Sequence, residues 1–514
     1  MPYLIGLDIG TSAAKGVLID ESGAVRATVS SEYPLLTPKP GWAEQDPETW
    51  WKATGEVIRG LLAKSEVRNP KSEIKAVGLT GQMHGSVFLA KDGRVIRPAL
   101  LWCDQRTSDE CREITEKAGG LRGLLDLVAN PALTGFTAPK ILWLRKNEPD
   151  NFRKVWKVLL PKDYIRWRLT GGLFSEVSDA SGTLLLDVRT RSWSKPLLER
   201  IGLSPDLMPA CAESPEPTTM LNRAGADATG LAEGTSVVGG GGDQAAGAVG
   251  NGIVAPGVLT ASLGTSGVLF AASEKPAVDP EGRVHTFCHA VPGRWHMMGV
   301  MISAGGSLRW LRDTLCADLK ARAAAERKDA YELMTREAEA TPPGAEGLLF
   351  CPYLQGERTP YPDPHARGAF VGLTLRHGRG HLIRAVLEGV AFGFRDMLEL
   401  MKAVKVPTKE VVISGGGARS PLWRRIMADV LNLDQVTVVS DEGPAFGAAL
   451  LAGVGSGVWP SVDAACAAAV KPSGRTRPEP AGVSVYERLY PVYHGLYPAL
   501  QASFRELAET AGEP

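Results

Sequence analysis

The chain has no excess charge, with 57 Lys and Arg against 57 Asp and Glu. A nucleic-acid or anionic-membrane partner gains no support from that balance. Nor does any stretch approach the ~18 uninterrupted apolar residues of a membrane span. The seven cysteines (Cys103, Cys111, Cys211, Cys288, Cys316, Cys351 and Cys466) are scattered and form no CxxC pair. An odd, dispersed set reads as reduced thiols and argues against a disulfide framework. The first residues enter a strand by Tyr3 without a basic-then-apolar leader, so a cytoplasmic location is expected. Short tandem repeats and low-complexity tracts are also missing.

What remains is an ordinary globular composition, 44% apolar and 22% charged, in a chain of 514 residues. That length exceeds one hydrophobic core, so two domains are the default. Strands are predicted near 3–9, 14–20, 24–31, 74–80 and 86–90. Helices are predicted over 46–64, 105–118, 138–147 and 161–169, with Asp46 as cap and Pro47 in the first turn. This alternation argues for α/β layers. The second half continues with a strand running into a helix over 295–313, helices at 327–340 and 378–404, and strand-turn-helix units at 411–431 and 436–453. The segment 470–483 is rich in Pro, Arg and Gly and reads as a surface linker before a terminal helix at 484–510. The expected division is 1–247, 248–470 and 471–514. An exposed apolar face on the terminal helix would support a homodimer.

One short phrase occurs in each half. Leu7–Ser12 reads LDIGTS and Ser262–Ser266 reads SLGTS. Each copy is flanked by apolar runs, which is a hairpin reading. Gly permits a tight turn, and Thr and Ser place hydroxyls beside exposed amides, a combination suited to phosphate oxygens. Two such hairpins suggest two related domains that grip one polyphosphate.

Four further groups carry chemistry. Asp8 ends a strand close to Thr11 and Lys15. Carboxylates reach phosphate through a bridging cation, most simply Mg2+. The competing reading is a turn-capping Asp. Asp243 follows Gly239–Gly242 and precedes Gln244; it is suited to accept a proton from an attacking hydroxyl, the alternative being a helix cap. GQMHG (81–85) and RPALLWCDQR (97–106) offer Gln82, Met83, His84, Trp102 and Asp104 as a mixed polar and aromatic surface for a hydroxylated ligand. His84 and Trp102 as satisfied core residues is the alternative. SGGGARS (414–420) is a glycine turn that could receive a nucleotide, but lacks the Lys-Ser/Thr ending of a P-loop. His285, His289 and His296 lack a fourth ligand at zinc spacing.

On these residues the chain resembles the FGGY family of carbohydrate kinases, within the actin-like ATPases. Gly135–Asn147 (GFTAPKILWLRKN) and Gly368–Glu388 (GAFVGLTLRHGRGHLIRAVLE) resemble its two signatures. GQMHG, LWCDQR, GGGDQAAGAVG and YLQGERTPY are most similar to members acting on D-xylulose. The resemblance implies two actin-like (ribonuclease H-like) α/β domains with the active site in the cleft between them. It implies ATP-dependent phosphorylation of D-xylulose with Asp243 as base and Asp8 on the Mg2+ side. Thr11, Ser12, Lys15, Gly264 and Thr265 would lie near the phosphates. Met83, His84 and Gln244 would bind the sugar, with Gln82, Trp102 and Asp104 nearby. Gly305, Trp310, Gly416, Gly417 and Ser420 would line the nucleotide site. Gln244 stands where many D-xylulose members carry Asn, so another ketose or a polyol is the alternative acceptor. A non-catalytic sugar or nucleotide sensor is the third reading.

Overall fold

The computed structural model describes residues 2–65, 67, 69, 73–439 and 442–511. The chain forms two compact units, each discontinuous in sequence. The first comprises Met1–Ala255, Ala272–His296 and Glu442–Lys471; the second comprises Pro256–Ala271, Met297–Asp441 and Pro472–Pro514. The linear division at 247 and 470 has no counterpart for Ala272–His296 and Glu442–Lys471, whose contacts lie in the first unit.

The first unit is built on strands β1 (Tyr3–Ile9), β2 (Ala13–Asp20), β3 (Val25–Glu32), β4 (Ile74–Gly81), β5 (Pro217–Met220), β6 (Ser236–Val238) and β7 (Gly241–Gly242). Their order is β5-β6-β4-β1-β2-β3, and β7 also pairs with β4. β1 runs antiparallel to β2 and parallel to β4, β4 is parallel to β6, and β6 is antiparallel to β5. Successive side chains point to opposite faces of a strand. Ile5, Leu7, Leu18 and Val77 accordingly pack with Trp50, Val57, Ile58 and Leu61 of the helix Pro47–Lys64. Leu4, Val17, Ile19 and Ala76 pack with Ala445, Phe446, Ala449 and Leu450 of the helix Gly443–Gly455. The helix Pro47–Lys64 begins as its sequence predicts: the Asp46 side chain accepts from the Glu48 amide at 3.0 Å, and Pro47 occupies the first turn.

The second unit repeats this topology. Strands β8 (Gly257–Leu263), β9 (Gly267–Ser273), β10 (Trp295–Met301), β11 (Thr408–Ser414), β12 (Asp434–Val438) and β13 (Pro472–Thr476) run in the order β10-β9-β8-β11-β12-β13. β8 is antiparallel to β9 and parallel to β11, β11 is parallel to β12, and β12 is antiparallel to β13. Each GTS turn therefore joins the corresponding strand pair, β1–β2 in one unit and β8–β9 in the other. Helices Gly305–Thr314, Ala330–Glu339, Arg379–Ala403, Pro421–Leu431 and Pro480–Thr510 complete the unit.

Two expectations change. The segment read as a linker contains the edge strand β13, with Pro472 as its first residue, where a missing amide costs no ladder bond. The terminal helix begins at Pro480 rather than 484. Of the strand-turn-helix unit at 436–453, the turn at 440–441 lies outside the described residues.

Candidate functional site

In the first unit, the turn between β1 and β2 is clamped from below. The Gly10 amide donates to Ala13 O at 3.0 Å. Gly10 O accepts from the Tyr33 hydroxyl at 2.7 Å and from Gln82 Nε2 at 3.3 Å. Thr11 O accepts from Gln45 Nε2 at 2.6 Å, and Ser12 O from the Tyr33 amide at 3.1 Å. The Trp102 indole donates to Thr11 Oγ1 at 2.9 Å, and Thr11 Oγ1 in turn donates to Gln82 Oε1 at 3.3 Å. All three tip carbonyls are thus taken by donors. That removes negative ends from a tip whose Ser12 faces solvent, an arrangement that favours an incoming anion.

Two carboxylates stand beside this turn. The ladder pairs Asp8 with Thr80, and Thr80 with Gly241. Asp8 and the start of the Asp243 helix therefore sit at the carboxyl ends of parallel strands with β4 between them, their backbones roughly 10 Å apart at ~4.8 Å per strand. Ligands of α/β sheets bind at such ends. Asp243 opens the helix Asp243–Gly250, whose cap is Gly242, so its side chain is not the cap. Burial pushes the Asp8 carboxyl up to about 7, reinforced by the charge of Asp243 and opposed by Lys15. Burial also pushes Asp243 up to about 6, against the amide and side chain of Gln244. Asp8 Oδ1 is buried without a hydrogen-bond partner among the described residues. The Lys15 ammonium lies 2.6 Å from Glu442 Oε2.

Met83 packs against Gly242, the residue before Asp243, and His84 packs against Gly182. A Cβ built on Gly242 would meet the Met83 side chain at 3.0 Å, and one built on Gly182 would stand 2.4 Å from His84 Nδ1. Gly242 lets Met83 sit directly on the backbone that carries Asp243, and Gly182 lets the His84 imidazole lie equally close to the end of the helix Val177–Ser181. His84 adopts a left-handed conformation, φ 69°, which is uncommon for a residue with a Cβ. Three contacts hold it there. Its Nδ1 lies 2.7 Å from Gly182 O, and because a carbonyl only accepts, Nδ1 carries the proton. Its own carbonyl accepts from Lys140 Nζ and Thr137 Oγ1, both at 3.0 Å. Lys140 is fully buried, and that burial lowers its pKa to about 7. Phe136 packs against the imidazole, with ring centroids 4.8 Å apart. Phe136, Thr137 and Lys140 belong to GFTAPK, but no sequence cue directs them toward His84.

The remaining predicted residues take other places. Gln82 is 2% exposed and braces the phosphate-type turn rather than a pocket. Asp104 is fully buried; its carboxylate takes the Ala43 amide at 2.7 Å and the Arg106 guanidinium. It shapes the LWCDQR loop. Trp102 is 37% exposed. His289 Nε2 faces Ile253 O at 2.8 Å, and burial lowers its pKa to about 4.

The second unit holds a cavity of about 770 Å3, within the range of small-molecule sites. Gly264 and Thr265, Gly305, and Gly416, Gly417 and Ser420 all line it. The Gly305 amide donates to Gly264 O at 2.8 Å, and the Ala304 and Gly306 amides donate to Thr265 O at 2.9 Å. Any Cβ at Gly305 would lie 2.6 Å from Gly264 O, so only glycine permits this approach. Ser420 caps the helix Pro421–Leu431, its hydroxyl accepting from the Trp423 amide at 3.2 Å. Trp310 stacks on Phe350 and is not among the cavity-lining residues. Asp329, Tyr331 and Glu332 are lining residues that the sequence did not single out.

Comparison with known proteins identifies the family. Residues 3–250 match the N-terminal domain of the FGGY family of carbohydrate kinases, and residues 259–456 match its C-terminal domain. The chain is 44% identical over 451 residues to a xylulose kinase of Escherichia coli, covering 87% of this chain and 89% of that protein. It is 39% identical over 497 residues to a xylulose kinase of Bacillus subtilis, covering 97% of each. A crystal structure of a xylulose kinase from Rhodospirillum rubrum superposes with a TM-score of 0.90 at 31% identity, over 98% of this chain and 100% of that one. The duplicated α/β topology, the doubled GTS turn and these matches place the chain in the FGGY family of carbohydrate kinases.

Proposed function

We propose that this chain transfers the γ-phosphoryl group of ATP to O5 of D-xylulose, giving D-xylulose 5-phosphate and ADP. The observation that carries the reading is the Met83–His84 pair set against Gly182 and Gly242, one residue from Asp243. The E. coli and B. subtilis relatives named above, both xylulose kinases, support the choice of sugar.

Met83 gives one wall of the sugar site and the fixed imidazole of His84 gives another. Asp243 accepts the O5 proton as the oxygen attacks phosphorus, and the bond to the β-phosphate oxygen breaks. A carboxylate with a pKa near 6 is matched to this at neutral pH: it is ionised, yet basic enough to take a proton. In the first unit Thr11 and Ser12 offer hydroxyls and amides suited to phosphate oxygens; in the second, Gly264 and Thr265 do the same beside a cavity suited to a nucleotide. The residues fit Mg2+: Asp8 keeps a buried oxygen without a partner among the described residues, and its ionised form is held at a disadvantage that a hard cation would relieve. When bound with ATP, the ion would offset phosphate charge beside Asp8. The seven cysteines are free thiols, which supports a reducing, cytoplasmic setting.

A coupled ADP-release assay tests the reading with D-xylulose, D-ribulose, fuculose, gluconate and glycerol side by side. The highest kcat/KM is expected for D-xylulose. A higher value for another acceptor would reassign the sugar, and no sugar-stimulated ADP release would favour a sensor.

A further inference from the structure

Helix Val177–Ser181 and its cap Glu176 lie behind the Asp243 turn and contribute no residue to the sites described above. They sit in a cluster of charges. Lys162, Asp163, Arg166, Glu176 and Asp179 are all at most 1% exposed. Lys162 Nζ lies 2.7 Å from Asp163, 3.3 Å from Asp179 and 3.7 Å from Glu176. A cluster that costly to bury needs geometry and hydrogen bonds to persist. Here its bonds run to the backbone that presents Asp243. Arg166 donates to Gly239 O. The Gly242 amide donates to Ser178 Oγ at 3.1 Å, and Ser178 Oγ donates to Glu176 Oε1 at 2.9 Å. Glu176 is itself fixed by the Ser178 and Asp179 amides, each at 2.8 Å.

We propose that Ser178 is a positioning residue for Asp243: its hydroxyl, oriented by Glu176, fixes the Gly242 amide and so the direction from which the Asp243 carboxylate meets the sugar hydroxyl. The proposal rests on Asp243 being the base. The hydroxyl is suited to this because its single proton is committed to Glu176, which leaves its lone pairs to the amide. The same short helix ends at Gly182, whose carbonyl holds His84. One rigid turn thus sets the base and a sugar contact in one frame, and Ser178 governs only the base.

Ser214 provides an internal comparison. Its hydroxyl donates to Glu176 Oε2 at 2.8 Å, so Ser214→Ala removes a buried hydrogen bond to the same carboxylate without touching Gly242. Steady-state kinetics and thermal unfolding of Ser178→Ala, Ser178→Thr, Ser214→Ala, Asp243→Asn and Ser178→Ala/Asp243→Asn test the proposal. Ser178→Ala should lower kcat about 10- to 100-fold, the range for a misplaced reacting group, with sugar KM changed less than about 3-fold. Ser178→Thr should recover most of kcat. Ser214→Ala should match the loss of Tm in Ser178→Ala while keeping kcat. In the double variant, the Ser178→Ala effect should vanish, because the carboxylate it orients is gone. Equal kcat losses for the two serine variants, no recovery with Thr, or additive losses in the double variant would overturn the proposal. If Ser178→Ala does not fold, Ser178→Thr with near-wild-type kcat beside a folded, active Ser214→Ala supports it, and an impaired Thr variant refutes it. Near-normal turnover by Asp243→Asn would instead defeat the base assignment.

Discussion

Replacing Gly182 by Ala isolates the sugar grip. Gly182 has φ −74° and ψ −1°, a conformation open to any residue, so the substitution strains no backbone. The new Cβ would stand 2.4 Å from His84 Nδ1 and 2.6 Å from His84 Cε1. Non-bonded heavy atoms settle at about 3.5–4.0 Å, so the imidazole must retreat by roughly 1 Å. The present 2.7 Å separation of Nδ1 and Gly182 O would then exceed hydrogen-bonding distance. Losing that bond costs about 1 kcal/mol, and a 1 Å error in a substrate-positioning group costs up to ~10²-fold in rate. kcat/KM for D-xylulose should therefore fall about 10- to 100-fold, between those two limits. ADP release against D-xylulose concentration measures this, and binding of a nucleotide analogue serves as the control. The cavity residues of the second unit are unchanged, so nucleotide affinity should stay within about 2-fold, as for independent sites. A folded variant with wild-type kcat/KM would refute the assignment of His84 as a sugar contact.

Three further outcomes follow from Asp243, Glu357 and Gly305. kcat/KM for the sugar should fall as pH drops through about 6, because Asp243, raised to that value by burial, must be ionised to accept a proton; a flat profile from pH 5 to 8 would contradict it. Burial raises Glu357 from 4.5 to about 8 while its Oε1 accepts the Ile302 amide at 3.0 Å and the Arg358 amide at 2.7 Å. The native state binds this proton more tightly than the unfolded chain, so stability is lost as pH rises from about 4.5 through 8. Glu357→Gln keeps a carbonyl for both amides and should remove the part of that loss that falls between pH 6 and 9, about 3 kcal/mol, in thermal unfolding at those two pH values. Gly305→Ala should raise the KM for ATP and leave the KM for sugar unchanged, since its Cβ meets Gly264 O; an unchanged ATP KM would show that this turn does not shape the nucleotide site.

Much of this architecture was legible because its signals are local. The GTS turns stand between apolar strands, and Asp46 and Pro47 start their helix where capping chemistry puts them. Helix Gly443–Gly455 was legible as the helix of a strand-turn-helix unit but not as a partner of β1 and β4. Its apolar residues specify burial without naming the sheet, and only the distant packing of Ala445 and Ala449 decides it. β13 was hidden because Pro, Arg and Gly read as a linker, whereas an exposed edge strand tolerates all three. Gln82 and Asp104 look like ligand contacts by residue type, and their engagement with Gly10 and Ala43 depends on chain segments brought together by folding. The charges behind Asp243 were missed for the opposite reason: Lys162, Asp163, Arg166, Glu176 and Asp179 read as solvent-facing until burial reveals them as a paired set.

The central claim is that Asp243 takes the proton from O5 of D-xylulose during transfer from ATP. Turnover and D-xylulose binding of Asp243→Asn, measured beside the wild type at saturating ATP and Mg2+, address it most directly. The wild type should phosphorylate D-xylulose at O5, and the variant should lose roughly 10²–10⁴-fold in kcat with D-xylulose affinity retained. Near-normal turnover by Asp243→Asn, or phosphorylation of D-xylulose at another hydroxyl, would contradict it.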